Sequence, residues 1–598
     1  MKKMLAMAFS VLVIVFQADS QVTQLVANIN PPGGLSVNDK FAVTINSADG
    51  SIYVTDGSVP GSHLLTTAVS FQSEPQAGVI KGKIVFNGYD AAHGTELWIS
   101  DGTDTGTHML MDIYPGTTSS NPSGNRQGFY VVEHKILFVA TTPGEGRELW
   151  VTNGTTAGTH MIKDITPGAA SSNVTLSKTT LNNYLGNYVY FTANDGTNGQ
   201  ELWKTDGTDV NTVMVKNITT GAGSTSFADL FVAMDPYLYF PANNGVSGTE
   251  LWRTNGTDTG TIMVKDIVPG AGSAFVNTNE SGGISWGYLV FNNMLYFNTG
   301  SQLWQTNGFN AGTQPLQNVY ANLLGFGSDD NPVIIGNKFY FIGNGSQLWQ
   351  CDGTSIGTYA IKSFASTPFS RSAQILLPAV SNADVVFQHP LLSNRFFMIA
   401  DDGVHGYEPW ISDGSFAGTY MIKDVNPGGS SFDTSNNKDG MQYFLSEDKL
   451  YVSLNNGTSG FEPWQTDGTA AGTIQIADIN SGANSSDANF VGLADSSILI
   501  FGANDGVGGS DWYKINSFVN PLLLTIYEFG GNGNWSNATN WANNAIPPNP
   551  LPKGLHIYIN PPPGSECILD VPVTVKQGAR ITVKTGAKFK ILSNLEIF

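Results

Sequence analysis

The sequence predicts an all-β chain: a β-propeller of about ten four-stranded blades closed by its N-terminal strand, then a small C-terminal β domain. Three observations predict it. A tryptophan-centred motif recurs every 45 to 61 residues, close to the period a four-stranded blade requires. Between the copies, β-branched and aromatic runs alternate with clusters of Gly, Asn and Asp, the pattern of short strands and tight turns. No helical periodicity of useful length follows the first twenty residues.

The chain opens like an export signal. Lys2 and Lys3 give a basic start, residues 5–16 form a short apolar run, and Ala18-Asp19-Ser20 suits small-residue cleavage. The run is too short to favour spanning a bilayer, although a retained anchor is the alternative. No cysteine stands at the cleavage point to carry a lipid. The expected organisation is a signal peptide at 1–20, a repeat region at 21–516 and a C-terminal module at 517–598.

The repeat is clearest at Glu96-Leu97-Trp98, Glu148-Leu149-Trp150, Glu201-Leu202-Trp203 and Glu250-Leu251-Trp252. Variants follow at Gln302-Leu303-Trp304, Gln347-Leu348-Trp349, Glu408-Pro409-Trp410 and Glu462-Pro463-Trp464. Asp511-Trp512 is a worn last copy, and Tyr53 holds the tryptophan position in the first. Within one unit, residues 188–193 read as a strand, 194–199 as a turn and 201–205 as a second strand. Asp206-Gly207 reads as a type I′ hairpin turn, which needs positive φ at both central positions. Residues 213–218 read as a third strand, and a variable strand in the following stretch would complete four. One large ring per blade can pack on the neighbouring blade and bury roughly 150–250 Å². The recurring Trp, Gly and Asp therefore read as scaffold.

This signature resembles the ELWxxDGT repeat of secreted bacterial proteins, here over roughly residues 22–516. Asp101-Gly102-Thr103-Asp104-Thr105-Gly106-Thr107 fits its fuller form, as do Asp206-Gly207-Thr208 and Asp467-Gly468-Thr469. Asn153 and Asn255 replace the Asp, and Asn also tolerates positive φ. The resemblance implies an extracellular propeller-like module and brings no assigned reaction. Residues 193–203 are also similar to the tryptophan-docking motif of quinoprotein propellers, A-x-D-x-x-x-G-x-x-x-W. Residues 242–252 and 400–410 keep its length, with Asn244 in place of Asp. That motif implies blade-to-blade docking. The adjacent cysteine pair common in the dehydrogenases of that family is missing, since Cys351 and Cys567 lie far apart.

A ring must join its first and last blades. The stretch from Val26 to Gly33 resembles the end of a repeat such as Val264 to Gly270, while the copy at Trp512 lacks its D-G-T turn and following strand. The N-terminal strand is thus expected to complete the last blade. Two smaller rings or an open solenoid are alternatives, because the copies at Trp304 and Trp349 have lost the long loop before the tryptophan.

After Ser517 the repeat stops. Gly530-Gly531-Asn532-Gly533-Asn534-Trp535, Asn540-Trp541 and the prolines from Pro547 to Pro552 resemble modules near the C-termini of secreted Bacteroidetes proteins. Val573-Thr574-Val575, Ile581-Thr582-Val583 and Phe589-Lys590-Ile591 then recur every eight residues, which suits a β-solenoid or a small sandwich.

A net charge of −20 leaves little to neutralise phosphates and argues against nucleic acid. With two distant cysteines there is no disulfide framework. His93 and His405 occupy equivalent loops, and His108 and His160 share another position; the members of each pair sit on separate blades, so they read as loop and strand residues. Turns such as Asp101 to Asp104 and Asp401-Asp402-Gly403 could offer oxygens to calcium, yet plain turns use the same residues. No catalytic, cofactor-binding or metal residue is named. The expected function is a secreted or cell-surface, non-enzymatic scaffold for a glycan or protein. Alternatives are a propeller enzyme acting on extracellular polysaccharide, and an adhesin. Function, if local, belongs where the repeat departs from itself: the copies at Trp304 and Trp349, the interval before Trp410, and the C-terminal module.

Overall fold

The computed structural model describes residues 50–515 and 526–597, with gaps longer than five residues at 71–76, 177–182, 276–286, 324–331, 366–372, 377–394, 433–442, 493–498 and 548–555. It also describes the backbone of short strands at 22–26, 35–36 and 42–45. The signal-like residues 1–20 lie outside the described residues.

Among the described residues, ten antiparallel sheets follow one another through the repeat region. Each is named here by the residue at its tryptophan position. In the Trp203 sheet the order is Tyr184–Leu185, Tyr188–Asn194, Gln200–Thr205 and Val213–Lys216. The variable strand therefore precedes the other three, where the sequence placed it after them. The physical reason is the turn. Leu185 pairs with Tyr188 across a tight connection through Gly186 (φ +62), whereas the chain beyond Val213–Lys216 crosses to the next sheet.

The type I′ expectation at Asp-Gly also needs correcting. Gly207 has φ +84, but Asp206 is not left-handed, and the connection runs from Thr205 to Val213. Paired positive φ values instead sit between the first and second strands, at Lys81-Gly82 (φ +50 and +73) and Asn292-Asn293 (φ +50 and +58). Those are two-residue hairpins whose twist matches the strands they join.

From Trp98 to Trp464, each motif tryptophan packs against the sheet before its own. Trp150 joins Ile80, Val85, Leu97 and Leu110 of the Trp98 sheet. Trp203 joins Leu137, Val151 and Ile162 of the Trp150 sheet, and Trp464 joins Phe397, Ile411 and Ile422 of the Trp410 sheet. Each ring also lies over its cross-strand partner, as in Phe138–Trp150 and Phe191–Trp203, with centroids 6.2 and 6.5 Å apart. This successive face-to-face packing of twisted four-stranded sheets is β-propeller-like. At the end of the series, Val22–Val26 pairs antiparallel with Ser510–Ile515, placing Val22 opposite Ile515.

The C-terminal part is built differently. Ile526–Phe529, His556–Ile559 and Arg580–Val583 form a parallel sheet; Gly533–Asn534, Glu566–Leu569 and Lys588–Ile591 form another. Val573–Val575 and Leu595–Ile597 form a third parallel pair. Equivalent positions such as His556 and Arg580, or Glu566 and Lys588, stack on one another. That is a β-solenoid and excludes the sandwich, whose sheets are antiparallel. The eight-residue recurrence marks successive faces of one coil. Its interior holds Trp535, Trp541, Ile557, Cys567 and Leu569, and Trp541 Nε1 donates to the Trp535 carbonyl at 2.7 Å. Both cysteines are buried and free.

Candidate functional site

The glutamate of the motif does structural work that its sequence did not announce. Glu96, Glu148, Glu201, Glu250, Glu408 and Glu462 are all fully buried. Glu148 Oε2 accepts from the Ile165 N–H and Oε1 from the Ser172 N–H, each at 3.0 Å. Glu250 accepts from Ile267 (2.7 Å), Val268 (3.3 Å) and Ala274 (3.1 Å). The carboxyl thus clamps the segment that leaves one sheet for the next. Burial pushes Glu148, Glu250 and Glu408 up to about 7, against the pull of those hydrogen bonds. A signal existed in the sequence. The glutamate and its first donor lie seventeen residues apart in the sheets of Trp98, Trp150, Trp203, Trp252, Trp410 and Trp464.

The D-G-T-x-x-G-T loop is a closed hydrogen-bond circuit. Asp101 Oδ1 accepts from the Thr103 N–H (3.0 Å) and hydroxyl (2.6 Å), and that hydroxyl holds the Asp101 carboxyl below the usual carboxylate range. The Gly106 N–H donates to Thr103 Oγ1 at 3.0 Å, and Thr107 Oγ1 donates to the Thr103 carbonyl at 2.7 Å. A Cβ on Gly106 would fall 1.9 Å from Asp101 Oδ1, so the second glycine is required for space. Asn153 serves as well as Asp because its Oδ1 accepts the same two bonds from Thr155, not through positive φ. Gly102 does need its left-handed backbone (φ +89).

Lysines tie these loops across sheets. Lys362 Nζ donates to the Thr419 carbonyl (2.7 Å) and Lys423 Nζ to the Thr473 carbonyl (2.8 Å). In the turn before each tryptophan, His93 Nδ1 meets Asp90 Oδ1 at 2.9 Å and His405 Nδ1 meets Asp402 Oδ2 at 2.8 Å. Asn198 Nδ2 donates to Asp195 Oδ2 at 2.7 Å in the same place. The histidines therefore act in their own turns, on separate sheets. The Asp-rich turns considered for calcium spend their carboxylates on neighbouring N–H groups, as Asp402 does on Val404 and His405. Among the described residues no group of three or more His, Cys, Asp or Glu is arranged to hold a metal ion.

Two consecutive sheets break the pattern together. In the Trp304 sheet only residues 300–301 separate Met294–Thr299 from Gln302–Thr306, and in the Trp349 sheet only 344–346 separate Lys338–Gly343 from Gln347–Cys351. Both replace the buried glutamate with glutamine. Gln302 Nε2 donates to Asn318 Oδ1 at 2.8 Å. The clamp passes to Asn298, whose Oδ1 accepts from the Ala321 N–H at 3.1 Å while its Nδ2 donates to the Ala321 carbonyl. Gln347 Nε2 donates to Ser363 Oγ at 3.2 Å, and its Oε1 accepts from Trp349 Nε1 at 3.2 Å.

Residues 318–321 run across onto the shortened turn. The Tyr320 N–H donates to Asn344 Oδ1 (3.1 Å), and the Asn344 N–H donates to the Tyr320 carbonyl (2.9 Å). Gly343 lets Val319 and Trp349 close in, since a Cβ there would lie 2.7 and 2.5 Å from them. Tyr320 is left 49% exposed, and Trp349 is partly exposed where Trp203, Trp252 and Trp304 are buried. The result is an uncharged ledge of amides bordered by aromatic rings. It can hydrogen-bond and stack. The interval before Trp410 lies partly outside the described residues, at 366–372 and 377–394.

No family model matches the chain, and no curated protein matches it. Among solved structures it is similar to the computationally designed Ika8 protein, at 13% identity and a TM-score of 0.31, covering 64% of this chain and 98% of that one. It is similar to BamB from Moraxella catarrhalis at 9% identity and a TM-score of 0.28, covering 75% and 97%. A GH74 xyloglucanase from Xanthomonas campestris matches at 10% identity and a TM-score of 0.26, covering 83% and 81%. These likenesses are remote, and none carries a function to this chain.

Proposed function

We propose that the protein is an exported, non-catalytic binding scaffold whose ten sheets close into one ring and whose ligand is an extracellular glycan or protein. The observation that carries this reading is how the recurring polar residues are used. The motif's Glu, Asp, Thr and Lys side chains hold loops and join sheets, so the conspicuous signature is spent on architecture. Closure is supported by the pairing of Val22–Val26 with Ser510–Ile515, and by Leu35–Ser36 of the first sheet lying beside Asn489–Gly492 of the last. Export is supported by the basic start and short apolar run of residues 2–16. No helix among the described residues is long and apolar enough to cross a membrane.

The test is to incubate the purified mature chain with polysaccharide and peptide panels and follow both binding and product release. Binding without turnover is expected. Release of oligosaccharide or peptide products would overturn the non-catalytic reading in favour of a propeller enzyme. An electron-microscopy projection showing two small rings or an open arc would overturn the single ring.

A further inference from the structure

We infer that the ledge formed by the Trp304 and Trp349 sheets is a binding site for a neutral polysaccharide; this rests on the scaffold reading and gives it a ligand class. The argument begins with what the two sheets have lost. In the Trp98, Trp203 and Trp410 sheets the turn before the tryptophan carries a carboxylate, Asp90, Asp195 and Asp402; in the Trp252 and Trp464 sheets Asn244 and Asn456 stand there. Here that turn is cut away in two neighbours at once, and the glutamate beneath is an amide in both. On a chain of net charge −20, this is a local patch without carboxylates among its named residues.

What remains matches a sugar's own surface. Gln302 and Gln347 fix the ledge by bonds to Asn318, Ser363 and Trp349; the exposed Asn318 and Asn344 each spend their Oδ1 within the protein and carry an Nδ2 suited to the hydroxyls of a pyranose. Tyr320 offers an exposed ring held by its backbone on Asn344, a platform for the apolar face of a sugar. Trp349 is oriented by Gln347 and partly exposed beside it. An acidic or phosphorylated ligand would find no cation among these side chains.

The experiment is affinity electrophoresis and calorimetry of the mature protein with soluble laminarin, galactomannan and dextran. Retardation by at least one polymer is expected, unchanged on raising the salt because no charges pair. Tyr320→Ala should weaken it about tenfold, the scale of one aromatic contact, and Gln347→Ala should weaken it further. Tyr359→Ala removes a tyrosine of the same 49% exposure from the outer strand of the Trp349 sheet and should change nothing. Circular dichroism of each variant confirms folding. Binding that survives Tyr320→Ala would overturn the site while leaving the scaffold reading standing. Failure of every polymer, or capture of a protein through the ledge instead, would overturn the ligand class. Polymer cleavage would overturn the scaffold reading itself.

Discussion

Glu148 provides a sharp test of how the repeat is held. Its side chain is fully buried, its two oxygens accept from Ile165 and Ser172, and burial pushes it up to about 7 from an ordinary 4.5. A carboxyl whose folded value is raised binds its proton more tightly in the folded state. Folding stability therefore falls as pH rises between about 4.5 and 7. At 1.36 kcal/mol per unit, the share of this one group is about 3 kcal/mol. Glu148→Gln imitates the protonated carboxyl. It should trail the wild type at pH 5 by the cost of turning one amide NH₂ toward a backbone N–H, about 1–3 kcal/mol, and regain up to about 3 kcal/mol on it as pH rises to 8. Glu148→Ala should lose stability at both pH values, because the buried Ile165 N–H loses its acceptor and the Ser172 N–H keeps only the Arg147 carbonyl at 3.3 Å. Urea unfolding at pH 5 and pH 8, with amide exchange at Ile165 and Ser172 as a local readout, distinguishes these. If Glu148→Gln falls further behind the wild type at pH 8 than at pH 5, the carboxylate is the form the clamp prefers, and the reasoning fails.

Further outcomes follow from other residues. Burial pushes Cys351 up to about 11 and Cys567 up to about 12, so neither thiol should react with Ellman's reagent at pH 8 until the chain is unfolded, when both should. Gly158→Ala would place a Cβ 2.1 Å from Asn153 Oδ1 and should lower the thermal midpoint, whereas Gly144→Ala, where a Cβ meets nothing within 4 Å, should not. Trp203→Ala should cost about 3–5 kcal/mol and loosen amide protection in the Trp150 sheet as well as its own, because the ring packs on Leu137, Val151 and Ile162. Cys351→Ser should be nearly neutral, since Ser100 and Ser412 take the same role in their sheets, accepting from Gly102 and Gly414 as Cys351 accepts from Gly353.

The sequence by itself determined what depends on local periodicity. Strand-rich runs, the near-fifty-residue repeat and the docking role of Trp98 through Trp464 were legible because side-chain spacing and ring size repeat along the chain. The solenoid was half legible: the eight-residue recurrence was visible, but which residues stack is a matter of partners such as His556 and Arg580, more than twenty positions apart. Only the tertiary structure showed that the first strand of each sheet precedes the motif, since a hairpin and a crossing look alike as turn-rich sequence. It alone showed the glutamate clamp, because a carboxylate's role depends on which distant N–H groups converge on it. The ledge at Tyr320 was foreshadowed as a break in the repeat. Its chemistry emerged only when residues 318–321 crossed onto the neighbouring sheet, bringing together amides that the chain keeps apart.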